Sequence, residues 1–268
     1  MGLRSQGRPA MRGVRGVARR WWIALRESPR ITEAARFLRP ILRVPDDWQS
    51  PYGRFWLELV GGAVALIAAA WLFGLVAEDV VTGDPLTIVD EILANWLYAH
   101  ATPASTRAMF VATELGGPTV VTAVTLATAF VLGWRRRWPW LLTLILVVPG
   151  GALLNELIKV AFHRARPKFD LPILDVKGYA FPSGHTMIAT LLYGLLAVLL
   201  VRTLRSRRVR TLVVCVASAV VMLVGISRMY LGAHYLSDVL AAVTAGLAWL
   251  ALCLTAVATL RYRRQRRS

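Results

Sequence analysis

The chain has 268 residues, 56% of them hydrophobic, and a mean hydropathy of +0.53, with the apolar residues gathered into long runs; this excludes an ordinary soluble domain. The net charge of +17 at pH 7 would suit a nucleic-acid binder. No base-stacking aromatic pattern accompanies the cations, however, and their distribution follows the apolar runs, so no nucleic-acid partner is expected.

Residues 1–54 read as a basic cytoplasmic tail. Its opening, MGLRSQGRPAMRGVRGVARR, leads to no short apolar core with a small-residue cleavage site, so no signal peptide is expected. Farther along, Trp21, Trp22, Ile23, Leu25, Phe37 and Leu38 mix with arginines as in a helix lying on an anionic leaflet. A loosely ordered tail interrupted by Pro29 and Pro40 fits equally well. Six apolar runs follow, at 57–77, 119–134, 138–162, 187–201, 211–226 and 239–260. A spanning helix needs about 20 apolar residues. The fourth run is short, and its helix is expected to begin near Ser183. The fold class expected is all-α, a polytopic six-transmembrane helix bundle over 55–260, with a second basic tail at 261–268.

Between the first two runs, DPLTIVDEILANWLYAHA sets Val89, Ile92, Leu93, Trp96 and Leu97 at helical spacing, which predicts an amphipathic helix on the outer surface, placed to roof the site. Cys215 and Cys253 both lie inside apolar runs and read as small hydrophobes, neither a disulfide nor a metal pair.

Of the 32 basic residues, 25 fall within 4–54, 135–137, 202–210 and 261–267. Six spans place all four segments on one side, cytoplasmic by the positive-inside rule. The first outer loop holds Glu78, Asp79, Asp84, Asp90, Glu91 and Glu114 against a single Arg107. With the termini inside, the ends of spans three and five and the starts of spans four and six face outward. Those ends carry the polar residues that interrupt the apolar runs. Lys159, Arg164, Arg166 and Pro167 follow span three, Pro182, Ser183, Gly184 and His185 open span four, and SRMYLGAHYLSD (227–238) joins spans five and six.

Lys159, Arg166 and Arg228 would be costly beside lipid without an anion. An arginine fork matches phosphate oxygens, and a helix starting at Ser183–Gly184 adds backbone N–H donors. His234 and Asp238 are four apart, so on a helix they share a face. A carboxylate there can hold one imidazole nitrogen and leave the other as a nucleophilic lone pair, while His185 can protonate a leaving oxygen. No acidic cluster suits Mg²⁺ or Ca²⁺ and no His/Cys set has zinc spacing, so no metal or cofactor is expected.

Lys159 with Arg166–Pro167, then Pro182–Ser183–Gly184–His185, then Ser227–Arg228, His234 and Asp238 resemble the three-part signature of the type 2 phosphatidic acid phosphatase (PAP2) superfamily. That family includes membrane lipid phosphatases, bacterial prenyl-diphosphate phosphatases and soluble vanadium haloperoxidases; six spans favour the membrane phosphatase branch. The resemblance implies that His234 forms a phosphohistidine, Asp238 orients it and His185 is the acid. Lys159, Arg166, Ser183, Gly184 and Arg228 would bind phosphate. It further implies an extracytoplasmic site acting on a lipid phosphate or diphosphate, prenyl diphosphate first, then phosphatidate or phosphatidylglycerophosphate. A phosphotransferase of the same family and a non-catalytic headgroup binder or transporter are the alternatives. His163 stands where relatives more often carry a small residue, a departure that bears on substrate preference.

Plainer roles compete at several positions. Lys159 can pair with Glu156, and Arg164, Lys168 and Lys177 read as loop charges meeting headgroups. His100 and His163 read as interfacial side chains, Tyr230 and Tyr235 as aromatic-belt anchors, and Asn155 as interhelical hydrogen-bond glue.

Overall fold

The structure, a computed structural model, describes residues 50–83, 85–169, 172–174 and 176–265. The tail with Trp21, Trp22 and their arginines lies outside the described residues. Leu57–Ser268 is a compact unit and holds the candidate site and the cavities described below.

The described residues form eight helices: α1 (Pro51–Thr82), α2 (Pro85–Ala99), α3 (Pro103–Glu114), α4 (Pro118–Trp134), α5 (Trp138–Phe162), α6 (Gly184–Thr203), α7 (Arg207–Tyr230) and α8 (Leu236–Gln265). Six stretches are long and apolar enough to cross a membrane: Phe55–Thr82, Pro103–Trp134, Trp138–Phe162, Gly184–Thr203, Arg207–Tyr230 and Leu236–Arg263. This is the all-α, six-span bundle expected from the apolar runs, and the fourth span does begin at Gly184, just after Ser183. Helices satisfy their own backbone groups, which lipid cannot do.

The second crossing departs from expectation. It starts sixteen residues earlier than the apolar run, because α3 and α4 stack end to end across an elbow at 115–117. Pro118 cannot continue α3 and instead starts α4, a position where a missing N–H costs nothing. The Tyr193 hydroxyl donates to the Leu115 carbonyl at 2.8 Å and holds the elbow. Gly116 allows it to close on the start of α6: a Cβ there would lie 2.8 Å from the His185 carbonyl oxygen.

α6 is the central helix and packs against α5, α7 and α8. Leu144 and Val147 of α5 meet Met187, Leu191 and Leu195 of α6 and Ala242 of α8 in a fully enclosed cluster. Lipid is as apolar as leucine, so these contacts stabilise through close fit and not through water exclusion. The outer faces leave Ile67, Trp71, Phe130, Leu153 and Leu157 exposed, as lipid-facing side chains are. Pro149 sits inside α5, and nearby the Trp249 indole of α8 donates to the Leu146 carbonyl at 3.0 Å, supporting the turn that proline loosens.

α2 is the helix expected over this stretch, but its apolar residues do not all pack inward. Val89, Ile92 and Trp96 are exposed, whereas the Leu86–Asp90–Leu93–Leu97 side faces the protein and Asp90 is buried. Tyr230 is likewise no belt anchor. It is buried, accepts the Thr102 N–H at 3.0 Å, and shares a 2.5 Å hydroxyl contact with Ser105 at the start of α3.

Candidate active site

Alternating spans bring the end of α5, the start of α6 and the α7–α8 hairpin to one end of the bundle. The hairpin turns because Gly232, at φ +70, takes a left-handed conformation after α7, with Leu231, Gly232 and Ala233 N–H groups closing back on Ser227, Met229 and Arg228 carbonyls. A Cβ at Gly232 would also lie 2.9 Å from the Phe169 ring. The next residue but one is His234.

His234 is 3% exposed and is held from both sides. Its Nε2 lies 3.1 Å from Arg166 Nη1. A guanidinium can only donate, so Nε2 presents its lone pair and the ring proton belongs on Nδ1. Nδ1 is 3.5 Å from Asp238 Oδ2, at the outer limit of a hydrogen bond, and has no closer partner. His234 is not on α8, as the i,i+4 spacing suggested; it precedes the helix, and Asp238 reaches back to it from the first turn. The same Oδ2 accepts the Tyr235 N–H at 2.9 Å, as the acid of a capping box does.

Burial lowers the His234 pKa to about 4, against the opposing pull of Asp238 and with help from Arg166 and Arg228. The ring is therefore neutral across the physiological range.

Asp238 is fully buried and its other oxygen accepts from Arg164 Nη1 at 2.6 Å. Arg164 also donates to Ser237 Oγ at 2.5 Å and, through Nη2, to Asp90 Oδ2 at 2.8 Å, with its guanidinium 4.8 Å over the Tyr235 ring. Asp90 accepts the Ser237 N–H at 2.9 Å and the Ser237 hydroxyl as well. Burial would lower the Arg164 pKa, but Asp238 and Asp90 together outweigh it and raise it. Arg164 is thus no loop charge meeting headgroups; it bridges α2 to α8 beneath the histidine.

Arg166 donates to the Gly178, Ala233 and Tyr179 carbonyls at 3.0, 2.7 and 3.0 Å, besides its contact with His234. Burial lowers its pKa, with Asp238 opposing. Arg228 is 4% exposed yet, among the described residues, makes a single hydrogen bond, from Nη1 to Thr113 Oγ1 at 3.1 Å, and its Nε is buried without a partner there. Ser227 beside it turns its hydroxyl back to the Val224 carbonyl at 2.7 Å.

The PSGH segment joins the hairpin through the Ser183 N–H, which donates to the Asp238 carbonyl at 3.1 Å. The buried Ser183 hydroxyl contacts Thr186 Oγ1 at 3.0 Å. His185 lies within electrostatic reach of Arg228, His234, Lys159 and Arg166. Lys159 pairs with Glu156 at 2.8 Å, the plainer role considered for it, and its ammonium also overhangs the α6 start: a Cβ at Gly184 would be 3.4 Å from Nζ. Asn155 is buried and donates to the Met187 sulfur at 3.4 Å, an interhelical contact. From this polar end a groove of about 510 Å³ runs between α4, α5 and α6 past Val121, Leu126, Val148 and Ile188. Its chemistry suits an amphiphile with an anionic head.

All eight residues singled out for a site meet at this end of the bundle. Sequence reasoning missed Asp90, Arg164 and Ser237. A lone acid on the Leu86–Leu93–Leu97 stripe was the available signal for Asp90. His163 ends α5 at φ +49, a conformation glycine favours, with its ring edge-on to Tyr179 at 4.5 Å.

The sequence model described as the PAP2 superfamily matches residues 138–262. Phosphatidylglycerophosphatase B of Bacillus subtilis (strain 168) is 31% identical over 179 residues, covering 66% of this chain and 87% of that protein. A crystal structure described as the first transmembrane PAP2 type phosphatidylglycerolphosphate phosphatase, also from Bacillus subtilis, superposes with a TM-score of 0.64 at 29% identity, over 70% of this chain and 93% of that one.

Two measurements test the geometry. In a ¹⁵N-histidine NMR titration, the resonance lost in His234→Gln should change protonation with a midpoint near pH 4; a midpoint at or above the free-histidine value of about 6.5 would mean that water solvates the ring. Asp90→Asn strips a charge from a buried pair and should lower unfolding stability by about 3 kcal/mol in detergent melts. An unchanged melt would show that Arg164 does not depend on it.

Proposed function

The chain belongs to the PAP2 superfamily and is a multi-pass membrane phosphatase of that family, and we propose that it hydrolyses a lipid phosphate through a phosphohistidine on His234. The observation that carries this reading is the histidine itself: Nε2 is held as a lone pair by Arg166, with a buried carboxylate behind Nδ1. A headgroup binder needs the cations but has no use for that pair.

The lipid phosphate enters from the groove and its oxygens take the unfilled donors of Arg228, the Lys159 ammonium and the free N–H groups at Gly184. Arg166 Nη1 passes from Nε2 to a phosphate oxygen, which frees the lone pair. Nε2 then attacks phosphorus in line, forming the N–P bond as the P–O bond to the lipid breaks, and His185 delivers a proton to the leaving oxygen. Asp238 stabilises the positive ring. Water attacks the phosphohistidine with His185 as base, releasing inorganic phosphate and restoring Nε2. Fixed cations around the transferring group supply the electrostatic stabilisation.

Prenyl diphosphate is the substrate the sequence suggests first. The relative named above moves phosphatidylglycerophosphate ahead of it here, with phosphatidate next. The arginine-rich ends 135–137, 202–210 and 261–267 support a site on the extracytoplasmic face with both termini in the cytoplasm.

Purified protein given phosphatidylglycerophosphate, phosphatidate and a prenyl diphosphate should release phosphate fastest from the first, with vanadate inhibition. An alkaline quench should trap label on the wild type, and His234→Ala should abolish both release and label. Full activity in the variant would end the phosphohistidine reading, and transfer of label to an added alcohol in place of water would mark a phosphotransferase. Topology has its own check, in protein lacking Cys215 and Cys253. A cysteine replacing Lys177 should react with an impermeant maleimide on intact cells, and one replacing Arg136 only after permeabilisation; the reverse pattern would invert the orientation.

A further inference from the structure

The end of the bundle remote from His234 holds a second charged cavity, which the phosphatase reading leaves unused. The end of α4, the start of α5 and the ends of α6 and α8 enclose about 690 Å³ there. Arg135, Arg137, Arg202 and Arg261 all line it. Trp140 of α5 gathers two of them: the Arg261 and Arg202 guanidinium carbons lie 4.4 and 5.1 Å from its ring centroid.

Among the described residues one carboxylate answers these four cations, Glu58, which pairs with Arg202 at 2.9 Å. Arg261 is the sharper observation. Its Nε and Nη2 are buried and have no hydrogen-bond partner among the described residues. An arginine near a membrane border can ordinarily snorkel to water, so buried empty donors are the costly choice. Two guanidiniums sharing one indole also repel one another. An anion in the cavity would relieve both costs.

The walls narrow the identity of that anion. Away from the arginines they are Val131, Leu132, Leu199 and Leu200, from helices that cross the membrane. A free phosphate has no use for such a surface, whereas acyl chains do. Basic pockets between transmembrane helices at this side of a bilayer are suited to phospholipid headgroups.

We propose that this cavity binds an anionic phospholipid, its phosphate taken by Arg261 with Arg135 and Arg137, and its chains laid along Val131, Leu132, Leu199 and Leu200. Arg202 remains with Glu58 and Trp140 and borders the headgroup. The site is separate from the one at His234 and does not rest on the reaction assigned there.

The test uses full-length protein in detergent, with orthovanadate present to occupy the opposite end, followed by native mass spectrometry. It is titrated with dioleoylphosphatidylglycerol, with dioleoylphosphatidylcholine and with glycerol 1-phosphate. The anionic lipid should bind at least about tenfold tighter than the zwitterionic one, and Arg261→Gln should remove about that factor. The double variant Arg135→Gln/Arg137→Gln changes only exposed side chains, keeps the fold out of question and should weaken binding by a similar factor. Glycerol 1-phosphate at equal concentration should not compete. Equal affinity for the two lipids, or a preference unchanged in the double variant, would overturn the proposal. Competition by glycerol 1-phosphate as effective as by lipid would assign the cavity to a free anion instead.

Discussion

Arg164 is the cation on which the arrangement around His234 depends. It lies between two buried carboxylates, Asp90 from α2 and Asp238 from the first turn of α8, and touches both within 2.8 Å. Either carboxylate buried there without a cation would lose its counter-charge and hydrogen bonds, which is costly. The guanidinium between them supplies hydrogen bonds to both, and Asp238 so held faces Nδ1 of His234 at 3.5 Å. Three segments distant in sequence are fastened at one point: α2, the strap after α5 and the α7–α8 hairpin. Breaking a buried pair of this kind leaves an uncompensated charge, which costs more than the intact pair contributes.

The other cations divide by how much of their donor capacity the protein already uses. Arg166 is committed to three carbonyls and a histidine nitrogen, so it acts mainly as a frame that can release one N–H to a ligand. Arg228 makes one hydrogen bond and keeps a buried empty donor. Lys159 shares its charge with the exposed Glu156 and can pass it to an anion at modest cost. Similar charges on a sequence row therefore do different work once their neighbours are known.

The six crossings were legible because lipid imposes one simple demand, long apolar stretches, and the chain meets it openly. The eight candidate residues stood out because polar side chains interrupting such stretches have few reasons to be there. The remainder was hidden for physical reasons. The elbow at 115–117 does not shorten the crossing, so a window of apolar residues saw only α4. In a membrane protein the apolar face of a helix need not face the protein, and for α2 it does not: Ile92 and Trp96 are exposed while Asp90 is buried. Arg164 resembled its neighbours Lys168 and Lys177 in sequence and differs only by the two carboxylates it meets, which come from 74 residues away on either side.

Two helices begin at the site, and their starts differ in electrostatic character. The start of α8 is surrounded by carboxylate: Asp238 in its first turn and Asp90 on the Ser237 N–H. The partial positive charge of that helix dipole is neutralised within the protein. The first turn of α6 carries no acid, and Ser183 makes no side-chain cap across it. Its dipole field therefore reaches toward the space between Lys159, His185 and Arg228 with no carboxylate in the turn itself. One macrodipole is consumed in fixing the histidine, and the other is left pointing at whatever negative charge arrives.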